Sequence, residues 1–144
     1  MTSTQQIKRF VQDTLGCGCP EEVFRSIQSR WDVRLNSFIT LRGAFIIGNR
    51  LLIYIVEAGT SGCIEEHLPV LVAMGKQERN NKGLNRFRLV LVADDPAEVQ
   101  RVAGKMFEEL RGTDEKLHLH VIHKKDIPFA TERAEDTINS NKHL

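Results

Sequence analysis

The sequence predicts an α/β domain with three layers, in which helices cover a mixed sheet of about four strands. In the second half of the chain, short apolar segments that suit buried strands alternate with segments of helical spacing. Before them, two strand-like segments are joined by Gly48-Asn49, a dipeptide that favours the tight turn of a β-hairpin. The predicted order is α-α-β-β-α-β-α-β in a single domain over residues 1–123, followed by a polar tail.

Two helices are expected at the amino terminus, within residues 3–31. A capping-box pattern begins at Ser3, and apolar residues at helical spacing follow as far as Gly16, which is suited to end a helix. Pro20 suits the first position of a second helix, and apolar residues at helical spacing continue to Trp31.

The sheet is expected within residues 37–123. The apolar segments LLIYIVE, RFRLVLVA and LHLHVI are predicted to be parallel strands connected by two helices, and the hairpin adds one antiparallel strand. The first connecting helix is expected over about residues 63–77. The second should begin at Asp95 and Pro96, as N-cap and first helical residue, and end at Gly112.

The composition restricts the kind of partner. Lys plus Arg total 20 and Asp plus Glu total 19, so the net charge of +1 gives no field that would recruit nucleic acid or a membrane surface. The amino terminus lacks a signal-peptide pattern, and the apolar runs are too short to span a bilayer. We therefore expect a cytoplasmic protein with reduced thiols. Its protein or small-molecule partner is not indicated, a homodimer is compatible with the sequence, and residues 124–144 are expected to be a partly disordered tail.

Two of the three cysteines, Cys17 and Cys19, lie one residue apart and directly before Pro20. If Pro20 opens a helix, Cys19 is the N-cap residue, where free backbone N–H groups and the helix dipole stabilise a thiolate. Cys63 is expected near the start of another helix, in a similar environment. His67 follows it by four residues and would share its helix face.

Several chemistries compete for these four residues. Three thiolates and His67 would form the Cys₃His set typical of zinc, and three thiolates could instead hold an iron–sulfur cluster. Alternatively, Cys17 and Cys19 form a redox pair, with Cys19 as the low-pKa thiolate and Cys63 as a resolving thiol. The C-x-C spacing matches no specific metal or redox motif, so purely structural cysteines in a non-catalytic ligand-binding or interaction module are the competing interpretation. The sequence assigns no catalytic residue and does not decide whether the protein is an enzyme.

The segment LGCGCPEEVF, residues 15–24, resembles a segment of small uncharacterised proteins of bacteria and archaea. The resemblance covers about ten residues and the helix before them. It implies no established activity and transfers no residue role, but it favours a function for Cys17 and Cys19.

The carboxyl ends of the predicted parallel strands form a second candidate site, since ligands of such sheets bind there. One loop at this edge is small, rich in N–H groups and suited to an anion: Gly59, Thr60, Ser61 and Gly62. Asp94 ends the neighbouring strand and could form an acidic pair with Glu57 that suits Mg²⁺. A plain strand-to-helix turn and a solvated Asp94 are the preferred interpretations.

Two further groups of polar residues are expected to be structural. His118 and His120 alternate with apolar residues, so they share one face of the last strand, either as metal ligands or as the polar face of an edge strand. Basic residues cluster before and within the preceding strand: Lys76, Arg79, Lys82, Arg86 and Arg88. They could contact phosphates, but a solvated helix end is the preferred interpretation.

Overall fold

The structure is a computed structural model that describes residues 4–58 and 61–127, with the backbone alone for residues 61–63. It confirms an α/β fold, and its mixed sheet has five strands rather than about four. In chain order the helices and strands are α1 (Thr4–Arg9), β1 (Ile27–Arg34), β2 (Thr40–Ile47), β3 (Leu51–Glu57), α2 (Ser61–Asn81), β4 (Arg86–Ala93), α3 (Pro96–Arg111) and β5 (Leu117–His123). Short turns complete the described chain: a π-helical turn over Phe10–Thr14 and 3₁₀ turns over Glu21–Arg25 and Lys124–Asp126.

The predicted second helix at the amino terminus is wrong. Pro20 precedes only the five-residue 3₁₀ turn, and β1 begins at Ile27 and pairs antiparallel with β2. Ile27 and Trp31 both pack against the same side of the sheet. Residues four apart share a face in a strand as well as in a helix, so their spacing fits both structures.

The predicted hairpin is confirmed. Gly48 and Asn49 both have positive φ angles, 59° and 55°, and the Arg50 N–H donates to the Ile47 carbonyl at 3.0 Å. Positive φ angles at both residues are typical of the primed turns, whose twist matches that of the flanking strands, and the pairing of Ile47 with Leu51 leaves Arg50 in the connection as well. The strands lie in sequence order across the sheet, with the first three antiparallel and the last three parallel.

Helices α2 and α3 cover one face of the sheet, which we call the helix-pair face. Both connections step in the same direction across the sheet, and right-handed crossovers of this kind place their helices on one side. The core on this face includes Tyr54 and Phe87, whose rings meet edge to face. The predicted start and end of α3 are confirmed, because the Asp95 side chain accepts from the Glu98 N–H and Gly112 has a φ of 60°.

The amino-terminal segment covers the opposite, N-terminal face of the sheet. Its buried residues form a core with the central strands: Ile7, Phe10, Val11 and Leu15. The segment ends as predicted at Gly16, which has a φ of 67°. Ile127 is also buried on this face, beyond the predicted domain end at residue 123. The predicted tail after Ile127 lies outside the described residues, within which no helix combines the length and apolar character needed to cross a membrane.

Candidate functional site

Cys17 and Cys19 lie in the connection between the amino-terminal helical segment and the 3₁₀ turn. Their sulfur atoms are at disulfide-bonding distance, and their Cα atoms are 5.3 Å apart. The Cys17 N–H donates to the Val11 carbonyl at 3.1 Å, which anchors this residue to the helix end. Both cysteines are half-buried against the core of the N-terminal face, and Gly18 between them is exposed.

The expected reason for a reactive Cys19 is wrong. Cys19 is not an N-cap, because Pro20 occupies the position before the first turn residue, Glu21. A single 3₁₀ turn also has too few aligned peptide dipoles to act as the start of a longer helix would. Any positive field on the thiols must come from another part of the molecule.

That field comes from arginines at the amino ends of β3 and β4. An open cavity of about 430 Å³ separates these strand ends from the cysteine connection. We call it the cysteine groove, and its lining includes Cys17, Cys19, Arg50, Asn85, Arg86 and Arg88. The sequence alone brings none of these segments together, since they come from three separate parts of the chain.

The arginines of the cysteine groove lack acidic partners in the part of the chain that the structure describes. Within residues 4–58 and 61–127, no carboxylate forms an ion pair with Arg50, Arg86 or Arg88. Arg88 donates from Nη1 to the Leu15 carbonyl at 3.3 Å, while its buried Nε has no hydrogen-bond partner in the described part of the chain. Burial, followed by the charge of Arg86, lowers the pKa of Arg88. The groove therefore carries positive charge that the described chain does not neutralise.

Two histidines on β5 hold these arginines in position. Arg86 Nη1 lies 2.8 Å from His118 Nε2, and Arg88 Nη1 lies 2.9 Å from His120 Nε2. Burial is the main cause that lowers the pKa of both histidines, and the neighbouring arginines add to it; the pKa of His120 falls to about 4. Neutral imidazoles can accept hydrogen bonds from the guanidinium groups. The predicted shared face of His118 and His120 is confirmed by these contacts.

Sequence reasoning missed this arginine–histidine arrangement, although a signal for it was present. Arg86 and Arg88 alternate with apolar residues on β4 just as His118 and His120 do on β5. Neighbouring parallel strands with the same alternation place their polar residues on one face of the sheet. Of the predicted solvated basic cluster, Arg79 is instead buried and bonds Asp114 through both terminal nitrogens, at 2.8 and 3.2 Å.

Cys63 and His67 belong to the other end of the sheet. The backbone of Cys63 lies in the first turn of α2, which follows the carboxyl end of β3. The cysteine groove lies at the amino end of this seven-residue strand, a length of about 20 Å. His67 lines a separate small cavity on the helix-pair face, beside Leu68. Among the described residues, no group of three or more Cys, His, Asp or Glu side chains is arranged to hold a metal ion.

At the carboxyl edge of the sheet, the predicted anion loop falls partly outside the described residues: Gly59 and Thr60 are not described, and Ser61 and Gly62 open α2. Asp94 and Glu57 line one cavity, as the acidic-pair hypothesis requires. Each carboxylate already has a cation beside it, however. Glu57 pairs with Arg42 at 2.5 Å, and the exposed Asp94 pairs with Lys124 at 3.5 Å.

The cysteine groove thus unites two sulfur atoms, a positive field and space for a small molecule. Thiol–disulfide exchange and anion binding are the chemistries that such a set supports. The comparisons with known proteins give this site no counterpart, since no family model, no curated protein and no solved structure matches the chain.

Proposed function

We propose that Cys17 and Cys19 form a redox-active dithiol–disulfide couple. The supporting observation is that the two sulfur atoms lie at bonding distance in the lining of a groove with three arginines, which have no acidic partner among the described residues. Reactive cysteines occur in such electropositive, partly exposed surroundings, because positive charge stabilises the attacking thiolate.

A structural role for this bridge has weak physical support. The bond closes a loop of only three residues, from Cys17 to Cys19. The chain-entropy model gives such a loop about 1.6 kcal/mol of stabilisation, compared with about 4.7 kcal/mol for a loop of 100 residues. The burial of Leu15 and Phe24 on either side already holds the segment against the sheet.

In the proposed reaction, the Cys19 thiolate attacks a disulfide R–S–S–R and displaces one RS⁻ as a mixed disulfide forms. The Cys17 thiolate then attacks the Cys19 sulfur and displaces the second RS⁻. Two electrons pass from the protein thiols to the disulfide, and the two thiol protons end on the two RSH products. We assign Cys17 as the resolving thiol because its backbone is anchored to the helix end, and the reverse reaction reduces the protein.

The sequence also suggested two alternative functions, and the experiments below would detect each of them. An iron–sulfur site would require Cys63, and a zinc site both Cys63 and His67, to join the groove from the opposite end of β3, so we favour the redox couple. A ligand-binding module with inert cysteines is the second alternative.

The test is the alkylation rate of each cysteine in the reduced protein, measured by mass spectrometry as a function of pH. We expect at least one thiol of the pair to titrate below the ordinary value of about 8.5. The control is the same chain in denaturant, where both thiols should titrate near that ordinary value. We also expect the Cys17–Cys19 disulfide to form reversibly in glutathione buffers.

Ordinary thiol pKa values, together with no disulfide at any glutathione ratio, would reject the redox couple. Metal analysis of protein purified without air separates the remaining alternatives. Stoichiometric zinc or iron that is lost on Cys17→Ser would establish the metal site instead.

A further inference from the structure

We infer that the cysteine groove is an anion-binding site, which selects as redox substrate a small thiol or disulfide carrying a carboxylate or phosphate. The substrate class rests on the proposed function of the cysteine pair. The anion site itself rests on the arginines and is tested separately below.

The donors of the groove suit an anion that carries several oxygen atoms. Arg50, Arg86 and Arg88 line one cavity, and guanidinium groups bind carboxylates and phosphates through paired N–H donors. Asn85 lines the same cavity, and its side-chain oxygen already accepts from Lys116 Nζ at 2.8 Å. Its side-chain amide N–H groups are therefore the donors that it can offer to a ligand.

The positive charge of the groove is built into the fold. A surface arginine commonly lies beside a carboxylate, as Arg30, Arg42 and Arg101 do in this chain. The described neighbours of Arg86 and Arg88 are instead imidazoles and a backbone carbonyl, which orient the guanidinium groups without cancelling their charge. Arginines oriented in advance lose less conformational entropy when an anion binds.

The size and position of the groove limit the substrate. Its volume of about 430 Å³ falls within the range of small-molecule sites. The arginines and the two sulfur atoms line the same cavity, so an anion bound by the arginines keeps the rest of its molecule near the sulfurs. A small thiol or disulfide with an acidic group a few bonds from its sulfur fits both requirements.

The first experiment measures substrate charge preference. The reduced protein is oxidised by three disulfides of similar size: dithiodipropionate, which is anionic, hydroxyethyl disulfide, which is neutral, and cystamine, which is cationic. Each rate constant is divided by that of dithiothreitol with the same disulfide, which removes the intrinsic reactivity of the compound. We expect the anionic disulfide to be favoured over the cationic one by at least about tenfold at low salt, and by less at high salt.

The matched variants separate the effect of the groove arginines on substrate preference from the effect of the overall charge. Arg50→Gln combined with Arg86→Gln removes two charges from the groove, while Arg101→Gln combined with Lys105→Gln removes two from the exposed side of α3, across the sheet. The preference should disappear in the first variant and persist in the second. Arg88→Gln is a third variant, which is interpreted only if its denaturation midpoint shows that it folds.

The second experiment tests the anion site without redox chemistry. Binding of suberate, a dicarboxylate with the length of dithiodipropionate but no sulfur, and of inorganic phosphate is followed by calorimetry on the Cys17→Ser, Cys19→Ser protein. We expect the groove variant to bind the preferred anion about tenfold more weakly than the α3 control does. Equal or absent binding of both anions, with no charge preference in the kinetics, overturns the anion site even if the cysteines are redox-active. Groove-dependent binding with unreactive cysteines supports the anion site and overturns the proposed redox function.

Discussion

At the scale of single residues, the arginine–histidine pairs show how burial decides charge. For an exposed histidine, repulsion by a nearby positive charge would be the single cause of a lowered pKa. His120 is half-buried beside Arg88, so desolvation and charge repulsion both favour its neutral form and lower its pKa to about 4. The neutral ring can then accept a hydrogen bond from the arginine, which a protonated ring cannot do.

Arg88→Gln tests this account at the same scale. Removing the guanidinium charge should raise the pKa of His120, yet leave it below 6.5 because burial is the larger cause. The measurement is an NMR titration of the imidazole nitrogens, with Arg101→Gln on α3 as a variant that changes the net charge equally. An unchanged His120 pKa in Arg88→Gln would mean that the two side chains do not interact.

At the scale of elements, the sequence predicted the correct structure for segments whose local pattern fits only a helix, a strand or a turn. It failed for the segment whose apolar spacing fits both a helix and a strand. The hairpin turn at Gly48-Asn49, the apolar strands β3 and β4 and the capped helix α3 were all predicted, because their local chemistry permits few alternatives. β1 was predicted as part of a helix because its apolar residues are four apart. Its strand structure depends on pairing with β2, which no local pattern shows.

The contact between α2 and β4 depends on a glycine. A Cβ atom added at Gly75 of α2 would overlap the ring of Phe87, which is fully buried on the helix-pair face. Gly104 on α3 differs, because the close neighbour that an added Cβ would meet among the described residues is the flexible Gln100 side chain. The missing side chain at Gly75 therefore lets the helix approach the sheet, whereas Gly104 has no such role.

We accordingly predict opposite effects of the same substitution in the two helices. Gly75→Ala should destabilise the protein by about 1–3 kcal/mol, because overpacking of a closed core outweighs the better helix propensity of alanine. Gly104→Ala should be neutral or stabilising by up to about 1 kcal/mol. Urea denaturation of both variants measures the difference. Equal effects at the two positions would show that α2 does not depend on close approach to Phe87.

At the scale of the whole molecule, the sequence predicts the layers of the fold better than the site. Alternating strands and helices, with right-handed crossovers, lead to parallel pairing of β3, β4 and β5 without any knowledge of contacts. The cysteine groove forms because the segment of residues 15–20 lies over the amino ends of β3 and β4. The local sequence indicated Cys17 and Cys19 as candidate site residues. The prediction explained their positive surroundings by a helix after Pro20, and this helix does not form.

The charge pattern of the whole domain predicts a loss of stability in acid that occurs in two steps. His118 and His120 have lowered pKa values in the folded state, so the unfolded chain binds more protons as the pH falls from 6.5 towards 4, and stability decreases over that window. Glu78 has a lowered pKa because hydrogen bonds from Lys82 and Tyr54 and the charge of Arg30 outweigh its burial. Hydrogen bonds from Arg79 lower the pKa of Asp114. Both carboxylates add stability that is present above their ordinary values of 4.5 and 3.8 and is lost as the pH falls from there through their lowered pKa values, so this step begins where the histidine step ends.

Urea midpoints measured across this pH range should therefore fall in both steps in the natural sequence. In the variant His118→Gln with His120→Gln, the glutamine side chains can still accept from the arginines but do not titrate, so the step between pH 6.5 and 4 should be largely removed. The loss at lower pH should remain, because the carboxylates are unchanged, and it serves as the internal control. If the double variant kept the full decline above pH 4, the half-buried histidines would not be its source, and the pairing of β5 histidines with β4 arginines would not be coupled to folding.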